Sequence, residues 1–343
     1  MNKELSPLKR LKRTIEGKEV DRIPVIAVTK MFGIKQINSN VLECVKGDPD
    51  VYVKSQWHCV SQLSHEALWN YSGIFPINEV LDPSSVKVTQ DDLFVERRYL
   101  SSIEDVRSLP EENILDQGMI PRLIDTIKAL KELSAGKLPV FGWISLPFEA
   151  AWMLRGHDIY IDLIEAPELV HELLDYCLNL HIQYAFKMVQ AGADVIWTTN
   201  PVVNTECISR RHFEAFSFPV DKKFFLTLKQ AGIRSMFHAC GDWSDRVDMV
   251  FDLGADIYYL SRSFDLAEVK RKYGGICVIA GNVPAVGVLF QGTPEDVERN
   301  ARACIAQAGH EGRFMLSPDC TVPRDTPPEN LAALFRVARE PIT

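Results

Sequence analysis

At 343 residues the chain is long for a small domain and short for two enzyme domains, and it matches one barrel of about 250 residues with insertions. Hydrophobic residues at 46% and charged residues at 24% exclude disordered, collagen-like and disulfide-scaffold classes. The 38 basic against 46 acidic side chains leave a net charge of -8, which repels phosphate backbones and anionic lipid, so no nucleic acid and no membrane is expected as a partner. Eight cysteines without the tight spacing of a stapled secreted domain read as reduced thiols. The N-terminus is basic but carries Glu4, Glu16, Glu19 and Asp21 and has no apolar core, unlike a secretory signal or transit peptide, so a cytoplasmic location is expected.

Ser6 as N-cap, Pro7 at the first helical position, Leu8, Leu11 and Ile15 on one face and Gly17 as the stop predict an N-terminal helix. IPVIAV from Ile23 is the first expected strand, followed by an irregular stretch through Lys35. VYVKSQWHCVSQLSHEAL has helical spacing, and ALWNY after it is strand-like. Residues Val86 to Leu100 alternate apolar and polar on both sides of Asp91-Asp92, the pattern of an inserted antiparallel hairpin. From Leu138 onward short apolar strands (PVFGWI, DVIWTT, RSMFHA, DIYYLS, CVIAG and FMLSP) alternate with helical segments, as in βα units with a parallel sheet. QAGADVIWTT, QAGIRSMFHA and DLGADIYYLS echo one another, each placing a glycine at a helix end just before a strand. The charge-free stretch Tyr273 to Pro294 contains five glycines and two prolines, and reads as a buried strand and turns, not a membrane span. Eight strands in all predict a (β/α)8 TIM barrel with an N-terminal helix and a β-hairpin insertion near 86-100, a single domain over residues 1-343.

In such a barrel, chemistry sits at the C-terminal strand ends. The fifth predicted strand ends in Phe237-His238-Ala239-Cys240 and the eighth in Ser317-Pro318-Asp319-Cys320. Side chains two apart on a strand share a face, so His238 and Cys240 converge, and barrel closure brings Cys320 to the same mouth. One imidazole and two thiolates suit Zn2+, and three protein ligands leave an open fourth position, the mark of a catalytic site. On spacing alone, ordinary strand packing accounts for a His-x-Cys pair equally well; the placement at strand ends is what points to metal.

LKRTIEGKEVDRIPVI, LPFEAAWMLRG, AGADVIWTTNPVV, HACGDW, IAGNVPAVGVLFQGTPEDV and FMLSPDCTVPRDTPPENLAAL, in this order and spacing, resemble the uroporphyrinogen decarboxylase superfamily over nearly the whole chain. His-x-Cys after the fifth strand, with a cysteine about eighty residues later in SPDCTVPRDTP, is similar to the zinc-binding pattern of its cobalamin-dependent methyltransferase branch, which includes methylcobalamin:coenzyme M methyltransferases. His238, Cys240 and Cys320 match that pattern position by position. The resemblance implies a zinc-dependent methyltransferase. On that resemblance a thiol would lose its proton at the open zinc position and attack the methyl group of methylcobalamin carried by a partner corrinoid protein; in the reverse direction a methylated substrate would give its methyl to the corrinoid. Cofactor-independent decarboxylation of a uroporphyrinogen is the alternative. That branch holds its substrate with an arginine-rich stretch and an aspartate after the first strand, where this chain reads VTKMFGIKQINSN, with Lys30 and Lys35 but no arginine.

Lys30 and Arg262, near strand ends, are candidates for holding an anionic group of the small methyl donor or acceptor, or are surface cations paired with acids. Asn282, at the end of the seventh strand, and Asn200, at a position often acidic in the family, are candidates for binding the substrate. Ser261 and Arg262 stand where family members often carry an acid after the sixth strand, which leaves a carboxylate near the metal without a supplier; Asp319 is the nearest guess. Cys177, Cys277 and Cys304 read as packing residues.

Overall fold

The computed structural model describes residues 4-71, 76-110 and 112-340. Among these described residues there are nine strands: β1 (Leu68–Trp69), β2 (Val86–Val88), β3 (Leu93–Val95), β4 (Val140–Ser145), β5 (Val195–Thr199), β6 (Ser235–Ala239), β7 (Ile257–Leu260), β8 (Val278–Val283) and β9 (Phe314–Pro318). Seven form one parallel sheet in the order β1-β4-β5-β6-β7-β8-β9, with helices in the connections, as the alternation from Leu138 onward predicts. β2 and β3 form the expected antiparallel hairpin outside it, with Lys87 opposite Phe94.

The expected eighth strand is reduced. Residues 23-28 meet β9 through a single bridge, Val25 to Leu316, in which Ile26 N donates to Leu316 O at 3.0 Å and Leu316 N to Pro24 O at 2.9 Å. On the far side no ladder joins them to β1 among the described residues, so the sheet curls as a seven-stranded array and does not close as a full (β/α)8 barrel. Side chains explain the seam. Ala27 N donates to His65 Nε2 at 3.3 Å, and Trp69 N donates to Gln56 Oε1 at 3.2 Å, so amides that would have crossed between the two segments are satisfied locally. Pro24, moreover, has no N–H to give. The stretch through Lys35 is also less irregular than expected. Lys30–Gln36 and Val41–Lys46 are short helices, the second capped by Asn40, whose side chain accepts from Glu43 N at 3.0 Å.

Period-two alternation divides the core. Phe141 and Trp143 of β4, Val195 and Trp197 of β5, Met236 of β6, Ile257 and Tyr259 of β7 and Met315 of β9 fill the concave interior. Their neighbours Ile144, Ile196, Phe237, Tyr258 and Leu316 pack outward with the helices. Fully burying each large side chain contributes roughly 1.5–3 kcal/mol. The N-terminal helix Pro7–Ile15, with Ser6 accepting from Lys9 N, adds Leu11 and Ile15 to the interior. It is fastened by Arg10, which is fully buried and bonds Asp21 at 2.8 Å and Glu66 at 3.1 Å. The echoed glycines turn the chain from helix to strand with left-handed torsions, as at Gly192 (φ 114°) and Gly254 (φ 93°). No helix among the described residues is long and apolar enough to cross a membrane. Tyr273–Pro294 resolves into β8 and a π-helical turn, Ala285–Phe290.

Candidate metal centre at the strand ends

The interior column of β6 runs Met236, His238 and then Cys240, which places the imidazole and the first thiol on the concave side, above the hydrophobic layer. Cys320 arrives two residues beyond β9. The ligand-type atoms of His238, Cys240 and Cys320 all lie within 4.8 Å of one another. A tetrahedral zinc with Zn–S of ~2.3 Å and Zn–N of ~2.0 Å holds such atoms ~3.5–3.8 Å apart, so a small contraction would bring the three onto one ion.

The imidazole is already oriented. His238 Nδ1 donates to Tyr259 O at 3.1 Å across the β6–β7 pair, and the Tyr259 ring lies against it at 4.3 Å between centroids. That bond fixes the tautomer and turns the Nε2 lone pair toward the two sulfurs. His238 Nε2 is buried without a hydrogen-bond partner, a position that costs free energy unless something binds there. The two thiols share a hydrogen bond. That contact, with burial and mutual repulsion, pushes Cys240 above the usual thiol range, and it holds Cys320 well below that range with His238 assisting. Two sulfurs beside an imidazole whose buried Nε2 has no hydrogen-bond partner are a donor set that fits zinc.

Cys240 sits on a braced loop. Trp243 Nε1 donates to Cys240 O at 2.9 Å, and the hydroxyls of Ser261 and Ser263 each donate to Gly241 O at 2.7 Å. Gly241 adopts φ 85°, and a Cβ there would meet Asn204 Nδ2 at 2.2 Å, so no other residue fits without movement. Ser261 is thus a clamp on the cysteine loop.

Two titratable side chains occupy the mouth, Lys30 half-buried and Glu149 buried. Lys30 lies over the rings of Trp143 and Trp197, 4.7 and 4.9 Å from their centroids, rings that the β4–β5 register sets side by side. Burial lowers its pKa to about 8 against the opposing pull of Glu149 and Cys320. Glu149, in the first turn of the helix Pro147–Arg155, is buried, and its Oε2 accepts from Thr199 Oγ1 at 2.8 Å. Burial raises its pKa to about 8, with Thr199 and Lys30 acting the other way. Thr199 is the register partner of His238. Glu149 was missed by sequence reasoning, although an acid within four residues of a strand end, in LPFEAAW, was a usable signal.

Asn200 is fully buried, and its Nδ2 donates to Ser217 Oγ at 3.1 Å and Asp221 Oδ2 at 2.9 Å. Burial lifts the Asp221 carboxyl to about 7. Asn282 Nδ2 donates to Ser261 O and Phe264 O, both at 3.2 Å, tying β8 to the segment after β7. Arg262 is exposed, and its charge reaches Asp319. Asp319 Oδ1 accepts from Ala285 N at 2.7 Å, which anchors the residue next to Cys320. Lys35, on the surface, pairs with Asp325. Cys177, Cys277 and Cys304 are buried away from the cluster.

The sequence model of the family described as Uroporphyrinogen decarboxylase (URO-D) matches residues 6-341. Methylcobamide:CoM methyltransferase MtbA of Methanosarcina acetivorans is 24% identical over 343 residues, covering 98% of each chain. Uroporphyrinogen decarboxylase of Carboxydothermus hydrogenoformans is 26% identical over 252 residues, 71% of this chain and 69% of its own. A solved methyltransferase from Methanosarcina mazei shares the fold with a TM-score of 0.88 at 22% identity, over 98% of this chain and 99% of that one.

Proposed function

The chain belongs to the uroporphyrinogen decarboxylase family, and we propose that within it this protein is a zinc-dependent methyltransferase moving a methyl group between methylcobalamin on a partner corrinoid protein and a small thiol. The observation that carries this reading is the buried, unpartnered His238 Nε2, grouped with Cys240 and Cys320 at the strand ends. Full-length similarity to methylcobamide:CoM methyltransferases supports it.

His238, Cys240 and Cys320 would hold the ion. Bound zinc supplies a lowered thiol pKa, so that the acceptor is a thiolate nucleophile near neutral pH. The protein's own groups do the rest. Tyr259 O orients the imidazole, and Trp243, Ser261 and Ser263 hold the cysteine loop in place. Lys30, desolvated between two indoles, draws an anionic end of the acceptor into the mouth, and Arg262 supplies a second cation at the rim. Asn200 and Asn282 frame the mouth through their hydrogen bonds to neighbouring segments. The apolar walls of Trp143 and Trp197 keep the reacting thiolate from water. The corrinoid protein docks over the mouth, and the same groups serve the transfer in either direction.

Elemental analysis of purified protein is expected to give about one zinc per chain. Cys320→Ala should lose both the metal and the thiol-dependent demethylation of methylcobalamin, followed by its visible spectrum. Metal-free protein that keeps this activity would refute the reading, and turnover of a carboxylated tetrapyrrole without metal would favour the decarboxylase instead.

A further inference from the structure

We propose, on the reading that the site binds a thiol at zinc, that Glu149 is its proton acceptor, taking the proton of the incoming thiol and returning it when the transfer runs backward. Three carboxylates lie near the cluster among the residues described above, and two are committed elsewhere. Asp319 accepts from Ala285 N through Oδ1 and faces the Arg262 cation, and Asp221 lies behind Asn200 and Ser217 at 1% exposure. Glu149 has one hydrogen-bond partner among the described residues, the Thr199 hydroxyl on Oε2, which leaves the lone pairs of Oε1 for a proton. Thr199 is the register neighbour of His238, so the carboxylate bonded to its hydroxyl stands on the cluster's side of the mouth.

Charge conservation in a dry cavity gives the reason for a proton acceptor there. The thiol enters neutral. In the step, the S–H bond breaks, its electron pair stays on sulfur, and the proton forms an O–H bond with the carboxylate. The site then gains one negative charge on sulfur and loses one on Glu149. Release of the proton to solvent would instead leave an additional buried anion, which is costly. The titratable groups facing Glu149 are Lys30, Asp221 and Cys240. Lys30 stabilises the carboxylate before transfer and the thiolate after it. A carboxyl with pKa about 8 is poised to exchange a proton near neutral pH.

Zinc-loaded wild type and Glu149→Gln are titrated with 2-mercaptoethanol at about pH 8, by calorimetry in two buffers of different ionisation enthalpy, to count protons released per thiol bound. Glu149→Gln should release close to one proton and the wild type about half or fewer. Glu149→Asp, which keeps a carboxylate, should fall on the wild-type side. Equal counts in wild type and Glu149→Gln, both still holding zinc, overturn the assignment while leaving the zinc–thiol reading intact. If neither protein binds the thiol, the zinc–thiol reading itself fails. Loss of zinc from Glu149→Gln but not from Glu149→Asp makes the carboxylate a metal-holding group and also overturns it.

Discussion

Trp243→Phe separates the placement of Cys240 from the packing around it. The indole N–H donates to Cys240 O at 2.9 Å, and the ring, 1% exposed, meets Phe213 and Phe237 edge-on at 5.6 and 5.7 Å. Phenylalanine keeps most of the ring contact and deletes the donor. A net hydrogen bond contributes ~0.5–1.5 kcal/mol. The smaller ring leaves a void of roughly 40 Å³, worth about 1 kcal/mol at ~24 cal/mol per Å³. Both terms reduce fold stability, by about 1.5–2.5 kcal/mol in sum. Only the hydrogen bond acts on the cysteine loop, so zinc affinity should fall ~2–10-fold, following ~1.4 kcal/mol per tenfold. Affinity is read by competition with a chromophoric chelator, and stability by thermal unfolding of metal-stripped protein. Phe213→Leu opens a comparable void against Trp243 without touching the bond, so it should lower stability and leave affinity unchanged. An unchanged affinity in Trp243→Phe, or an equal loss in Phe213→Leu, would refute the positioning role.

Asp221 carries a stability signature in pH. Its carboxyl is raised by burial from 3.8 to about 7, so between those values the folded state binds more protons than the unfolded chain, and stability is lost as the pH rises from about 4 to about 7. The slope is at most ~1.4 kcal/mol per pH unit for one proton, and Asp221→Asn should remove it in denaturant melts across that range. Arg10→Met should cost about 3–5 kcal/mol, because it leaves Asp21 without its cation and Glu66 with only Arg22 and the more distant Arg339, and the melting temperature measures it directly. Ser261→Ala removes one of two hydroxyls on Gly241 O, and a loss of zinc affinity smaller than that of Ser261→Ala/Ser263→Ala together is expected in the chelator competition.

The grouping of His238, Cys240 and Cys320 was legible because it follows from periodicity. His238 and Cys240 share a face by the two-residue repeat of a strand, and Cys320 joins them by the rule that parallel strands end at one mouth. The parallel array was legible from the alternation of apolar strands and helices after Leu138. What escaped depends on side chains from distant segments. Glu149 looks like any acid in a first helical turn until β5 sets Thr199 against it. Lys30 was visible as a cation, but the indoles beneath it come from the Trp143–Trp197 register, which a single sequence does not display. IPVIAV has the composition of a strand, and its reduction to one bridge follows from Gln56 and His65 taking amides that the pattern assigns to a ladder.

That seam alters the mechanics of the mouth. In a closed cylinder the bore is set by strand number and stagger, and widening it means breaking a whole ladder. Here the two facing edges are each stitched by one side chain, Gln56 on β1 and His65 on residues 23-28, both from the helix Pro49–Leu63 and its exit. Parting them breaks no backbone ladder; it sacrifices the His65 bond to Ala27 N, ~0.5–1.5 kcal/mol, and the burial of Ile26 and Val28. The segment that parts leads directly into Lys30, so the diameter of the opening and the position of that cation are mechanically a single variable.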